Sequence, residues 1–270
     1  MQIINRASDR CRLLVLLLIV LSSSPLLAQV MVTPATAPAT TAATTQPNNG
    51  PADEPAAKIG RDGKADTRFM ELHRSFLWRG KEAPMGVLFL GDSITEGWMT
   101  RGASVWRERY WKYVPADFGI GGDRTQHVLW RIDNHELDNI APKVVVLMIG
   151  TNNTANYTAE EITAADKRIV QQIHEKLPET KLLLLAIFPR GADPADPKTA
   201  GLREKIRQVN VELAKLDDGD KTRYLDIGPK FLDGEGKITK EMMPDALHPT
   251  KKGYVVWADA MQPLLDEMMK

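Results

Sequence analysis

The stretch VLFLGDSIT, residues 87–95, decides the fold class of this chain. Its first four residues are all apolar, which is typical of a strand that is buried on both faces of a parallel sheet. Gly91, Asp92 and Ser93 follow directly, and a helical pattern begins right after them. A strand that passes through a tight turn into a helix is the repeating unit of an α/β fold.

The same alternation continues to the end of the chain. After an entry helix over 66–78, the apolar runs predict strands at 87–90, 114–118, 144–149, 181–188 and 224–227, and helices at 96–110, 124–137, 159–177, 199–216 and 251–269. This pattern predicts an α/β fold, a single doubly wound, flavodoxin-like, three-layer domain with a five-stranded parallel sheet, over residues 65–270. In such sheets the active site forms at the carboxyl ends of the strands.

Residues 1–28 have the pattern of a secretory signal peptide. Three arginines precede an unbroken apolar run over 13–21, and a short break ends in the small residue Ala28. We expect cleavage near Ala28 and export to the periplasm or the medium. The alternative is an uncleaved membrane anchor, but the apolar run is short against the roughly 20 residues of a membrane span. Cys11 lies in this segment, so the mature chain has no cysteine for disulfides, thiol catalysis or metal binding.

Residues 29–64 are rich in Thr, Ala and Pro and contain few large apolar side chains. Such a segment cannot bury enough surface to offset its ordering entropy, so we predict a disordered tether. The whole chain carries 35 basic and 35 acidic residues and a formal net charge of zero. This balance argues against a nucleic-acid partner, which would need a strongly basic surface.

Ser93 occupies the strand-to-helix turn, at the predicted carboxyl edge of the sheet. There its backbone N–H and the start of the helix face any developing negative charge. The alternative for Ser93 is a helix N-cap, which this position also suits.

Two loops after the second and third predicted strands carry residues suited to a substrate oxygen. The first contains Gly121 and Gly122, which let the backbone turn tightly and approach a ligand. The second contains Asn152, which offers two side-chain N–H donors. An ordinary strand-to-helix loop and an ordinary Asn turn are the respective alternatives.

The segment Asp245-Ala-Leu-His248 precedes the last predicted helix. One tight turn brings an Asp and a His three residues apart together, and the carboxylate then holds the imidazole in one tautomer. The alternative is a surface loop with a chance histidine. The other histidines lie in helical stretches without partners at metal-ligand spacing, so we predict no metal site from His73, His127, His135 and His174.

The chain resembles the GDSL/SGNH hydrolase family in these segments. The resemblance extends to three further stretches, FGIGGDRTQHVLWRI (118–132), PKVVVLMIGTNN (142–153) and FPRG (188–191). Within this family, the chain is similar to the catalytic subunits of intracellular platelet-activating factor acetylhydrolase. The resemblance covers about residues 66–269 and implies a reaction without metal or organic cofactor. It implies that the nucleophile, its general base and the third triad member are Ser93, His248 and Asp245, and that the oxyanion hole is formed by Ser93, Gly122 and Asn152.

The expected function is therefore that of a serine esterase acting on short-chain esters, in particular acetyl esters of an extracytoplasmic carbohydrate. The carbohydrate part of this expectation follows from the predicted export. The alternatives are a lysophospholipase or thioesterase, and a non-catalytic carbohydrate-binding module on the same fold. No long apolar insertion separates Ser93 from His248, which disfavours long acyl chains. We expect a small-molecule or carbohydrate ester as the partner and no stable membrane span after processing, and we leave the oligomeric state open.

Overall fold

The computed structural model describes residues 50–270, and its centre is a parallel five-stranded sheet. The strands, in spatial order β2-β1-β3-β4-β5, are β1 (Val87–Gly91), β2 (Pro115–Gly119), β3 (Val144–Met148), β4 (Lys181–Leu185) and β5 (Thr222–Leu225). Every neighbouring pair is parallel. The predicted α/β class and five-stranded parallel sheet are confirmed.

Helices follow the strands on both faces. In the described residues they are α1 (Thr67–Glu82), α2 (Ser93–Glu96), α3 (Ala103–Tyr110), α4 (Thr125–Asp133), α5 (Ala159–Lys176), α6 (Pro197–Leu213) and α7 (Lys251–Met268). Side-chain caps define several starts, because Asp66, Thr158, Asp196 and Thr250 each accept a hydrogen bond from the backbone three residues on. None of the helices between residues 50 and 270 is both long and apolar enough to cross a membrane.

The single helix predicted over 96–110 is broken in the structure. Residues 97–99 form a short 3₁₀ turn between α2 and α3. Gly102 packs so closely that a Cβ there would lie 2.7 Å from the Trp98 ring and 2.9 Å from Tyr254. The turns that contain Gly97 and Gly102 pack tightly against α7. The chain is therefore not one continuous helix over 96–110, although the sequence pattern predicts one.

Alternate strand residues point to opposite faces, and each face has its own core. One core contains Leu88 and Leu90 together with side chains of α1, α4, α5 and α6. The other contains Val87 and Phe89 together with side chains of α3 and α7. The sheet is thus buried on both faces between two helical layers, as predicted for a doubly wound domain.

Residues 50–66, which we call the N-terminal strap, pack against the domain. Ala52 is buried, its carbonyl accepts the hydroxyl of Thr125, and Ala56 N–H donates to Gln126 O at 3.0 Å. The prediction of a disordered tether is therefore wrong for residues 50–64. Backbone hydrogen bonds hold this segment, and a composition argument based on large apolar side chains does not detect them. The predicted signal peptide (1–28) and the rest of the predicted tether lie outside the described residues.

Candidate active site

The carboxyl ends of β2, β1 and β3, which are neighbours in the sheet, are in register, since Gly91 pairs with both Gly119 and Met148. Ser93, Gly122 and Asn152 lie just beyond these three ends. The chain leaves β1 toward β2 on one side and returns to β3 on the other, so this edge is the switch point where α/β sheets form a crevice.

Ser93 is the first residue of α2, immediately beyond the N-cap Asp92. The Asp92 carboxylate accepts a hydrogen bond from Ile94 N–H at 2.9 Å, which fixes the turn. A glycine is required just before it, because a Cβ on Gly91 would lie 2.4 Å from the carbonyl oxygen of Met148. The tight turn leaves the half-buried Ser93 side chain at the edge of the sheet. Asp92, not Ser93, makes the N-cap hydrogen bond.

A continuous hydrogen-bonded chain joins Ser93 to the loop before α7. Ser93 Oγ lies 2.8 Å from His248 Nε2, and His248 Nδ1 lies 2.6 Å from Asp245 Oδ2. The other oxygen of Asp245 accepts the backbone N–H of His248 at 2.8 Å. Ala246, between them, has a positive φ of 55°, which lets this turn close. The structure thus brings together the three residues named as a triad from the sequence.

The Asp245 carboxylate is held in its ionised form. Partial burial by itself raises the pKa of Asp245, but hydrogen bonds from the side chain and backbone of His248 outweigh it and lower that pKa below its usual value. Because Asp245 accepts at Nδ1, that ring nitrogen carries a hydrogen and Nε2 is the atom that faces Ser93.

The loop after β2 lies beside Ser93. Gly122 has a φ of +76°, a conformation that favours glycine, and a Cβ on Gly121 would lie 3.8 Å from Ser93 Cβ. Gly121 N–H donates to Glu96 Oε2 at 2.8 Å. Among residues 50–270, no protein group accepts the N–H of Gly122.

Asn152 joins this loop to the loop after β3. One hydrogen of its side-chain amide is donated to Asp123 O at 2.8 Å. Arg190 supports the same loop from the end of β4, because its Nη1 donates to Thr151 O at 2.9 Å. The three residues named as an oxyanion hole therefore lie on loops that meet at one end of the sheet.

Below these loops lies a buried charge network that the sequence analysis missed. The side chain of Arg131 is fully buried, donates to Phe118 O and Gly91 O, and pairs with Asp123 and Glu136. Burial raises the pKa of Asp123 to about 7, and the charges of Arg131 and Lys58 oppose that rise. An arginine inside the apolar stretch VLWRI was the available signal, because a buried guanidinium needs several partners.

Of the remaining histidines, two are buried in structural surroundings, whereas His135 is exposed. His73 is buried and lies 2.9 Å from Glu136, and His127 is buried as well. Within residues 50–270, no group of three or more His, Cys, Asp or Glu side chains is arranged to hold a metal ion. Trp98, Trp106 and Tyr110 belong to the core.

With this geometry in place, comparison with known proteins decides the family. The model of the GDSL-like lipase/acylhydrolase family matches residues 89–256, which include all five proposed site residues. The chain belongs to this family. It is therefore a carboxylic ester hydrolase.

Among its relatives, the human platelet-activating factor acetylhydrolase IB subunit alpha1 is 39% identical over 216 residues, which cover 79% of this chain and 90% of that protein. Among solved structures, a GDSL-like lipase from Bacteroides thetaiotaomicron aligns with a TM-score of 0.59 and 20% identity over 72% of this chain and 97% of that one. An acetyl xylan esterase aligns with a TM-score of 0.54 and 21% identity over 66% and 98%. At these identities the two structures establish the fold alone.

Proposed function

We propose that this chain is a serine esterase that removes a short acyl group, namely acetyl. Ser93 is the nucleophile, His248 is its general base and Asp245 orients the base. The single observation that carries the proposal is the unbroken chain from Ser93 Oγ through both ring nitrogens of His248 to Asp245. A serine hydroxyl is a weak nucleophile alone and needs an adjacent base that a third group holds in place.

In the first step, Ser93 Oγ attacks the acyl carbon while His248 Nε2 takes the hydroxyl proton. The carbonyl electron pair moves to oxygen, and a tetrahedral oxyanion forms. Its collapse breaks the bond to the alcohol, which leaves with the proton from Nε2. Water then attacks the acyl-serine by the same route, so Ser93 is regenerated and the acid is released. The ionised Asp245 stabilises the imidazolium in both halves of the reaction.

The oxyanion receives hydrogen bonds from Ser93 N–H, Gly122 N–H and the Asn152 side chain. The Gly122 N–H has no acceptor within the described part of the protein, which makes it available to substrate oxygen. Asn152 uses one amide hydrogen for Asp123 O and retains a second one for the substrate. Donors that are fixed before the reaction stabilise the transition state without reorganisation.

For the substrate, the acetyl group is supported by the 39% identical human relative, which is named an acetylhydrolase. A carbohydrate alcohol is supported by the signal-peptide pattern of residues 1–28, which predicts export to the compartment where acetylated polysaccharides occur. The same fold also serves an acetyl xylan esterase. The name of the human relative gives the second candidate, the acetyl ester of platelet-activating factor.

The test is a panel of p-nitrophenyl acetate, butyrate and palmitate with acetylated xylo-oligosaccharide and platelet-activating factor. We expect the acetate esters to be hydrolysed fastest, and Ser93→Ala to abolish both turnover and labelling by a fluorophosphonate probe. Ser75→Ala is the matched control, because the exposed Ser75 hydroxyl only donates to Leu72 O in its own helix. Hydrolysis by Ser93→Ala would refute the proposed nucleophile. Inactivity of the wild type on every ester would favour the non-catalytic carbohydrate-binding alternative. Amino-terminal sequencing of exported protein tests cleavage near Ala28.

A further inference from the structure

Lys58 is a residue of the N-terminal strap that reaches the loop carrying Gly122. Its Nζ donates to Gly121 O at 2.5 Å and lies 3.5 Å from Asp123 Oδ1. Its side chain is only 19% exposed. A Cβ built on Gly122 would lie 3.1 Å from the Lys58 Nζ, so the ammonium lies directly against this glycine.

Backbone hydrogen bonds anchor the strap on both sides of Lys58 in the sequence. On its C-terminal side, Asp66 N–H donates to Lys58 O at 2.8 Å, and Ile59 forms a bridge with Ala65. On its N-terminal side, Ala56 N–H donates to Gln126 O at 3.0 Å. Because the backbone is anchored on both sides, only the side chain of Lys58 loses additional freedom when it binds the loop.

The Gly121 carbonyl and the Gly122 N–H belong to the same peptide group. A peptide group is planar and trans, so its C=O and its N–H point in opposite directions. A donor that fixes the Gly121 oxygen therefore also fixes the direction of the Gly122 N–H. Hydrogen bonding to the carbonyl also polarises the group, which makes its N–H a stronger donor.

We propose that Lys58 is a positioning residue of the oxyanion hole, which orients and polarises the Gly121–Gly122 peptide. This inference rests on the proposed function, because it assumes that Gly122 N–H receives the oxyanion. Lys58 itself does not touch the reacting atoms. It lies outside the segment that the family model matches, residues 89–256.

The contact acts on the transition state more than on the bound substrate, because charge accumulates on the carbonyl oxygen only as the reaction proceeds. Complete loss of one oxyanion donor lowers kcat about 10²–10³-fold. Misorientation of a donor that is still present lowers it less, so we expect Lys58→Met to reduce kcat roughly 10-fold to 100-fold with KM little changed. The methionine keeps most of the apolar stem and removes the ammonium.

Two variants make the comparison specific. Lys58→Arg retains a cationic donor and should recover a large part of the lost kcat, which no purely space-filling role explains. Lys64→Met removes an exposed lysine elsewhere in the strap and should have wild-type kcat and KM. Circular dichroism and Tm are measured for all three, and Lys58→Gln replaces Lys58→Met if the latter folds poorly.

A Lys58→Met enzyme with wild-type kcat, or one whose kcat falls only as far as its folded fraction, overturns the positioning role. An equal loss in Lys58→Met and Lys58→Arg does so as well. Ser93→Ala separates this failure from that of the proposed function. If Ser93→Ala is inactive and Lys58→Met is fully active, only the inference about Lys58 fails. If Ser93→Ala still hydrolyses the ester, the proposed function fails first.

Discussion

His248 Nε2 lies 2.8 Å from Ser93 Oγ, although the two residues are 155 positions apart in the chain. The contact depends on two local turns that are far apart in the sequence. One is the turn from β1 into α2, and the other is the Asp245–His248 turn before α7. The two turns meet because Tyr254, in the first turns of α7, donates its hydroxyl to Ile94 O at 2.7 Å. This hydrogen bond ties the last helix, which follows His248, to the turn that carries Ser93.

Asn152→Ala should lower kcat about 10²–10³-fold, which is the usual effect of removing one oxyanion donor. The fold should survive, because the residue is half-buried and its side chain makes one hydrogen bond within residues 50–270, to Asp123 O. Kinetics on p-nitrophenyl acetate check this. Asn134→Ala is the control, since the Asn134 amide only caps α4 through Trp130 O and should leave turnover unchanged. A fully active Asn152→Ala enzyme would remove this residue from the scheme.

Asp117 should make the protein less stable as pH rises. Burial raises the pKa of the Asp117 carboxyl to about 8, and the hydrogen bond from Gly119 N–H opposes that rise without cancelling it. Between pH 3.8, the ordinary pKa of an aspartic acid side chain, and about pH 8, the folded state holds a proton that the unfolded state has released. The free energy of unfolding should therefore fall with increasing pH, by up to about 1.4 kcal/mol per pH unit for this one proton.

Urea unfolding at pH 5, 6.5 and 8 measures this dependence. Asp117→Asn keeps an acceptor for Gly119 N–H and removes the titration, so its stability should depend less on pH than that of the wild type. Asp62→Asn, at an exposed position of the strap, should leave the slope unchanged. An identical slope in Asp117→Asn and the wild type would contradict the assignment.

Arg131→Met should destabilise the fold by about 3–5 kcal/mol, the usual result of removing one partner from a buried ion pair. It leaves Asp123 and Glu136 buried without their common cation, and it frees the carbonyls at the ends of β1 and β2. Chemical denaturation measures the loss. The exposed Arg107 on α3 provides the control, and Arg107→Met should change stability by less than about 0.5 kcal/mol. A small effect of Arg131→Met would mean that the network is not a stabilising element.

Gly91→Ala and Gly201→Ala should change stability in opposite directions. A Cβ on Gly91 would lie 2.4 Å from Met148 O, so β1 and β3 would have to separate at a cost of at least about 1–3 kcal/mol. Gly201 lies in α6 with nothing within 4 Å of the added carbon, and alanine there should stabilise the helix by about 0.5–1 kcal/mol. Thermal unfolding compares the two. Equal Tm values for both variants would show that the strand contact at Gly91 is not rigid.

The parts of the fold that depend on local patterns were predictable. The runs VLFL and VVVLM lie on buried strands because both faces of the sheet are covered, so every residue must be apolar. The fifth strand, predicted at 224–227, lies at Thr222–Leu225. It is one of the two edge strands and only partly buried, so its apolar signal is weak and its boundaries shift.

For the candidate site, contacts between residues within one turn were predictable from the sequence. Contacts between residues that are far apart in the sequence were not. Asp245 and His248 are three residues apart, so their contact follows from the turn itself. Lys58 contacts Gly121 across 63 positions, and no spacing rule connects a lysine in a proline-rich segment to a glycine loop. Arg131 was missed in part for the same reason, since the two carbonyls that it binds come from the ends of β1 and β2. Its acidic partners, Asp123 and Glu136, are near it in the sequence.

The strand order has a consequence for how the protein is made. Each strand after β2 adds to an edge that is already free, β3 beside β1, β4 beside β3 and β5 beside β4, so no strand has to be inserted between two that are already paired. A chain that emerges from the ribosome amino terminus first can therefore build its sheet in the order of translation. His248 follows all five strands in the sequence, whereas Ser93 follows the first. A nascent chain therefore contains its nucleophile early and has a complete triad only when synthesis is nearly finished.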